Sequence, residues 1–184
     1  MDGDLEQFLR ARQPFAVESV RWGTEMELEQ SYYLGADLPP DAYTTSVRAV
    51  LLKGGEVLVL RDKAGEYHLL PGGRRDTGET IVQTLEREMR EETGWTFAEP
   101  RLIGFMHFLH QTPKPFAYPY PYPSFLQLVY AATAQQKLVD ASIEDDWVEA
   151  TFFSAVDALE SYAIAPAQLA YLKAAEKIYA NCQH

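Results

Sequence analysis

Residues 73–95 read Gly73-Arg-Arg-Asp-Thr-Gly-Glu79-Thr-Ile-Val-Gln-Thr-Leu-Glu-Arg87-Glu88-Met89-Arg90-Glu91-Glu92-Thr93-Gly94-Trp95. A glycine turn precedes a short helical stretch. Thr77 and Thr80 are candidate N-caps, and Gly94 is a natural helix stop. At about 100° per residue, Ile81, Val82, Leu85 and Met89 share one apolar face. Three carboxylates, Glu88, Glu91 and Glu92, crowd into five residues of this helix, and the preceding loop adds Glu79. Like charges at helical neighbour spacing repel, and a divalent cation that prefers oxygen ligands is the natural reason to gather them. Glu92 falls inside the apolar stripe, between Ile81 and Leu85. A carboxylate there is costly unless a charged partner meets it. Glu86 and Arg90 fall on the other side and read as solvated.

The 184-residue chain is long enough to bury a sizeable core as one domain, and its 47% hydrophobic content suits a globular protein. A net charge of −11 argues against nucleic-acid polymers and anionic membranes as partners. It does not argue against a small phosphorylated substrate, because metal ions turn an acidic cluster into a phosphate site. Cys182 is the only cysteine, which leaves no intrachain disulfide and no zinc ribbon. The acidic start Met1-Asp2-Gly3-Asp4 does not read as a signal peptide, and no apolar run approaches a membrane span. A cytoplasmic location is the expectation.

Along the chain, residues 4–12 suit a short helix, and Phe15–Val20 and Thr24–Leu28 suit strands before a loop through Leu38-Pro39-Pro40. Thr45–Leu52 and Glu56–Arg61 flank Gly54-Gly55 as a hairpin. Tyr67–Leu70 is a short strand ending at Pro71-Gly72-Gly73. Phe97–His110 supplies one or two strands, Phe125–Thr133 another and Trp147–Phe153 a last one. Ser154-Ala155-Val156-Asp157 is expected to open a short helix, and Pro166 a longer one to about Asn181. Strands interrupted by few helices suggest an α+β layered fold.

The spacing of the opening stretch is Gly73, five residues, Glu79, seven residues, Arg87-Glu88, an apolar residue, any residue, Glu91-Glu92, any residue, Gly94 and a bulky apolar residue. This resembles the Nudix box of the Nudix hydrolases. Trp95 departs mildly, since that slot is more often aliphatic in the family. The resemblance implies an α/β/α sandwich around a mixed β-sheet. It implies a Nudix hydrolase domain over residues 44–184, with residues 1–43 as an N-terminal extension (a helix plus short strands) packed on the same domain. The extension is also a candidate for completing a sheet edge or reaching a second subunit in a homodimer.

Nudix hydrolases cleave a phosphoanhydride bond in nucleoside diphosphates linked to another moiety. By this analogy Glu91 and Glu92 are the first candidate ligands for Mg²⁺ or Mn²⁺, with Glu88 beside them as ligand or base. Divalent ions neutralise and orient the phosphates and lower the pKa of water. Arg87 is expected to hold a carboxylate in place. Glu79 is a further ligand or a structural partner, and the backbone carbonyl of Gly72 or Gly73 a further oxygen donor. The general base is sought outside the box, in Glu144-Asp145-Asp146 or at Glu149, with Glu144 the first candidate. Arg74 and Arg75 either touch phosphates or lie on the surface.

Pro113–Phe125 alternates proline with Tyr118, Tyr120 and Tyr122. Proline stiffens such a run toward an extended form that projects the tyrosines at regular intervals. The loop either packs against the fold or stacks Tyr120 or Tyr122 on a substrate base. His107 and His110 are expected to face solvent or pack on their strand. Nucleotide sugars including ADP-ribose, dinucleotides and nucleoside triphosphates all remain open as substrates, with the N-terminal extension favouring the first. Two other readings remain. One is a non-catalytic nucleotide or ADP-ribose sensor on the same fold, although such domains often lose box glutamates. The other is an acidic calcium-binding or interaction domain, although the residues after Gly73 lack the spaced Asp/Asn pattern of an EF-hand loop.

Overall fold

The computed structural model describes residues 3–139, 147–155, 159 and 162–180. Glu144, Asp145, Asp146, Val156, Asp157, Asn181 and Cys182 lie outside the described residues.

Twelve regular elements follow one another in the described chain: α1 (Gly3–Arg10), β1 (Ala16–Trp22), β2 (Met26–Leu34), β3 (Thr44–Lys53), β4 (Glu56–Asp62), β5 (Tyr67–His68), β6 (Gly72–Arg74), α2 (Ile81–Glu88), β7 (Trp95–His110), β8 (Ser124–Lys137), β9 (Trp147–Ala155) and α3 (Pro166–Ala180). A 3₁₀ turn at Asp41–Tyr43 leads into β3. Seven strands run β1-β2-β7-β8-β3-β4-β5 across one sheet, with β6 on β3 and β9 on β4. The β3–β8 pair is parallel, and the other pairs are antiparallel. The sheet is therefore mixed, as expected.

Strand alternation builds the layers. Val47 and Ala49 of β3 face Leu85 of α2, Met89 just after it, and Leu5 of α1. Val50 and Leu52 point to the opposite face, into a cluster with Tyr171, Leu172 and Ala175 of α3. Helices thus cover both faces of the sheet, which is the expected α+β sandwich. The Tyr171 hydroxyl donates to the Phe105 carbonyl at 2.9 Å, tying α3 to β7. Trp95 is buried beside Leu51, Leu58 and Leu60, filling the last apolar slot of the box with a larger side chain.

Several boundaries differ from the sequence reading. β2 continues to Leu34, because Leu28–Leu34 pairs residue by residue with Gly104–His110 of β7. Ser154 and Ala155 extend β9 along β4 instead of opening a helix. Gly72–Arg74 is a strand, not simply a turn, since it takes over the edge of β3 at Ser46–Arg48. β4 holds that edge only at Leu52 and Lys53. The β3 edge is thereby split between two partners. Among the described residues, no helix is long and apolar enough to cross a membrane.

Candidate active site

α2 begins where the sequence indicates. Thr80, not Thr77, is its N-cap: the Thr80 side chain accepts from the Gln83 N–H, and the Gln83 side chain accepts from the Thr80 N–H in a capping box. The helix is α only through Glu88. Residues Met89–Thr93 form a π turn that ends at Gly94, whose φ of 69° is the left-handed conformation glycine tolerates. The buried face is also rotated from the one expected. Val82 is exposed, whereas Thr84, Leu85, Glu88, Met89 and Glu92 are buried. The inward stripe is therefore centred on two carboxylates.

Two glycines make room for those carboxylates. Glu88 lies so close to Gly73 that a β-carbon there would sit 2.4 Å from both of its oxygens. Gly72, with φ 136°, runs against the backbone of Val47 and Arg48. Its N–H donates to Glu92 Oε2.

Arg87 organises the other acids. Its Nε and one terminal nitrogen donate to the two Glu79 oxygens at 2.8 and 3.0 Å. Its Nη1 donates to Glu88 at 2.8 Å and Glu91 at 3.0 Å. Its Nη2 also reaches the Arg74 carbonyl at 2.8 Å. The Arg87 fork, with the Asp76 N–H and Thr84 hydroxyl, depresses the Glu79 pKa to about 2. The same carboxylates raise the Arg87 pKa, Glu79 first. The Glu79 side chain is committed to Arg87, Thr84 and Asp76, and it borders a separate surface depression.

An open cleft of about 820 Å³ receives Glu88 and Glu92 at one side, together with Gly72, Gly73, Arg74 and Arg48. Glu91 is not among its walls; it is partly exposed and turned to Arg87. The sequence reading missed Arg48. Burial lowers the Arg48 pKa, and the Glu92 and Glu88 charges oppose that effect. Arg48 thus supplies the positive charge that a carboxylate in an apolar stripe demands. Its own signal was visible as a single cation inside Val47–Leu52. The hard oxygens of Glu88 and Glu92, gathered beside a glycine backbone, suit a Mg²⁺-type ion in donor chemistry.

Farther along the cleft, His68 Nε2 lies 2.9 Å from Asp62 Oδ2. Asp62, Glu66 and His68 are the one set of three metal-type donors that converge within 4.8 Å among the described residues. Asp62 Oδ1 already accepts from the Ala64 and Glu66 N–H groups, as in an ordinary turn.

Beside the cleft is an aromatic recess of about 270 Å³ whose walls include Trp22, Tyr118, Tyr120 and Phe125. Trp22, Arg48, Arg74 and Gln127 border both cavities. The tyrosine–proline loop is not an extended rod. It turns at Ala117, where φ is 54°. Tyr118 lies against His110, with 3.1 Å between the hydroxyl and Nε2. Tyr122 also packs on His110, ring centroids 5.2 Å apart, and donates to the Thr112 carbonyl. Tyr120 therefore reaches the recess and Tyr122 does not. His107 and His110 are both buried, and desolvation lowers the pKa of each, His107 to about 4.

The model of the NUDIX domain matches residues 42–175 of the chain. The protein belongs to the Nudix family. Over 60 residues it is 35% identical to the uncharacterised Nudix hydrolase YvcI of Bacillus subtilis, a match covering 33% of this chain and 38% of that protein. Over 74 residues it is 28% identical to B. subtilis YjhB, provisionally described as an ADP-ribose pyrophosphatase, covering 39% of this chain and 36% of that one. The matches thus span less than two fifths of either relative. Among solved structures, the fold is similar to the B. subtilis pyrophosphohydrolase BsRppH, with TM-score 0.60, 15% identity, and coverage of 81% of this chain and 92% of that one. It is also similar to a Nudix hydrolase from Nitrosomonas europaea, with TM-score 0.56, 18% identity, and coverage of 75% and 90%.

Proposed function

We propose that this chain is a pyrophosphatase that hydrolyses a phosphoanhydride bond in a nucleoside diphosphate linked to another moiety. The reading rests on one observation above the others. Two buried carboxylates, Glu88 and Glu92, border the same cleft as two arginines, Arg48 and Arg74. Carboxylates alone would repel a diphosphate, and arginines alone would bind it without activating water. Together they suit a diphosphate held between cations and a water-activating acidic edge.

Glu88 and Glu92 would hold Mg²⁺ or Mn²⁺, with Glu91 as a third ligand from the same segment and the Gly72 backbone beside them. The ion supplies charge neutralisation at phosphorus and a lowered pKa for water. Arg87 acts as a positioning residue: it fixes Glu88 and Glu91 while Glu79 fixes it. Arg48 and Arg74 bind phosphate oxygens. Glu144 is the proposed proton acceptor. A nucleotide-sugar or ADP-ribose type of substrate, acted on in the cytoplasm, is favoured. The provisional description of YjhB supports that choice of substrate.

The test is turnover with Mg²⁺ over a panel of nucleoside diphosphate sugars, dinucleotides and nucleoside triphosphates. Hydrolysis of at least one, lost on chelation and in Glu92→Gln, is expected. Tight binding of a panel member with turnover of none would overturn the reaction in favour of a sensor.

A further inference from the structure

We propose that the aromatic recess is a base-binding pocket, built jointly by the N-terminal β1–β2 hairpin and the tyrosine–proline loop. It deepens the proposed function and rests on that reading for the link to a diphosphate. At about 270 Å³ the recess is smaller than pockets for whole drug-sized ligands, roughly 300–1,000 Å³, and suits one planar group.

Its walls suit such a group. Trp22 sits at the end of β1 and is held by Phe108 and Phe125, at 4.9 and 5.7 Å between ring centroids. The Tyr120 ring comes from the loop and carries the Arg74 guanidinium 5.1 Å from its centroid. Aromatic faces of this kind stack on any base.

Polar groups are available to read an edge. Ser46 is 2% exposed, borders the recess, and its hydroxyl has no hydrogen-bond partner among the described residues. A buried hydroxyl without a partner is costly, and a bound polar ligand removes that cost. Gln127 borders the recess as well. Its carboxamide offers a donor and an acceptor side by side, which matches a base edge presenting an acceptor next to a donor.

The shared walls give the site a direction. A base in the recess places its 5′-phosphate toward Arg48 and Arg74, with Glu88 and Glu92 beyond. The extension, which precedes residues 42–175 of the family match, then contributes Trp22 and Met26 to substrate choice.

The experiment is calorimetric titration of the intact protein, with Mg²⁺ present, using AMP, GMP, CMP, UMP and ribose 5-phosphate. These ligands lack a phosphoanhydride, so binding is read apart from turnover. At least one nucleotide is expected to bind about ten-fold or more tightly than ribose 5-phosphate. Tyr120→Ala and Gln127→Ala should each narrow that gap, and Gln127→Ala should leave ribose 5-phosphate binding unchanged. Tyr120 is a loop side chain and Gln127 is only partly buried, so both variants should fold. A base preference in a protein that hydrolyses nothing would sink the reaction reading and sustain the pocket. Equal binding of ribose 5-phosphate and all four nucleotides, or a preference surviving both substitutions, would overturn the pocket.

Discussion

A β-carbon on Gly73 would lie 2.4 Å from each oxygen of the Glu88 carboxylate. The glycine is thus the floor on which that carboxylate rests. Gly73→Ala meets only the end of a side chain, so the fold should survive while Glu88 moves by about an ångström. Displacement on that scale can cost about 10²-fold in rate. The expected result is a melting temperature close to wild type with kcat/KM down by about two orders of magnitude. Gly72→Ala should behave differently, because its β-carbon would meet the Val47 carbonyl oxygen at 2.2 Å with φ at 136°. That variant should lose stability outright. Full activity in Gly73→Ala would show that Glu88 does not depend on its cradle.

The Arg87–Glu79 fork makes a pH-dependent prediction. Pairing holds the Glu79 pKa at about 2, below the ordinary 4.5. A depressed carboxylate stabilises the fold above its unfolded pKa and loses that contribution as pH falls through its folded one. Arg87→Lys, which cannot form the planar fork, should therefore be less stable than wild type at pH 7. The deficit should shrink as pH drops from about 4.5 toward 2. Urea midpoints for both proteins across that range give the comparison; a deficit independent of pH would mean the pair is not its source.

His107 titrates in the other part of the acid range. Burial alone lowers its pKa from 6.5 to about 4, and its Nε2 has no partner among the described residues. The unfolded chain takes up this proton first, so the neutral ring's contribution is complete above pH 6.5 and is lost as pH falls toward 4. A shift of this size corresponds to about 3 kcal/mol. His107→Leu should flatten the stability curve across that window. An unchanged slope would place the titration elsewhere.

Tyr171 is fully buried and donates to the Phe105 carbonyl. Tyr171→Phe keeps the ring and removes one hydrogen bond, which costs about 1 kcal/mol. Thermal melts should show a drop of about 2–4 °C for a chain of this size. No drop would mean that ring packing alone joins α3 to the sheet.

The local features of the site were legible because local rules set them. Thr80 and Gly94 bound the segment as caps do, and Glu92's position in an apolar stripe demanded a cation. Periodicity could not reveal the π turn after Glu88, which changes the helical pitch within the motif. Nor could it place Val82 in solvent and Thr84 in the core, since packing against β3 sets the rotation of α2. The extended form expected of the tyrosine loop fails for a similar reason: His110, buried on β7, packs against Tyr118 and Tyr122, while Tyr118 and Tyr120 line the recess.

The sequence by itself determined the box, its glycine stop, the close spacing of its carboxylates and the alternation of most strands. Each depends on residues a few positions apart along one chain segment. Only the tertiary structure decided that Arg48 answers Glu92 and that Trp22 meets Tyr120 across a recess. Those partners are far apart in sequence. Their meeting depends on the split edge of β3, where β6 displaces β4, and on the β1–β2 hairpin joining the sheet at β7.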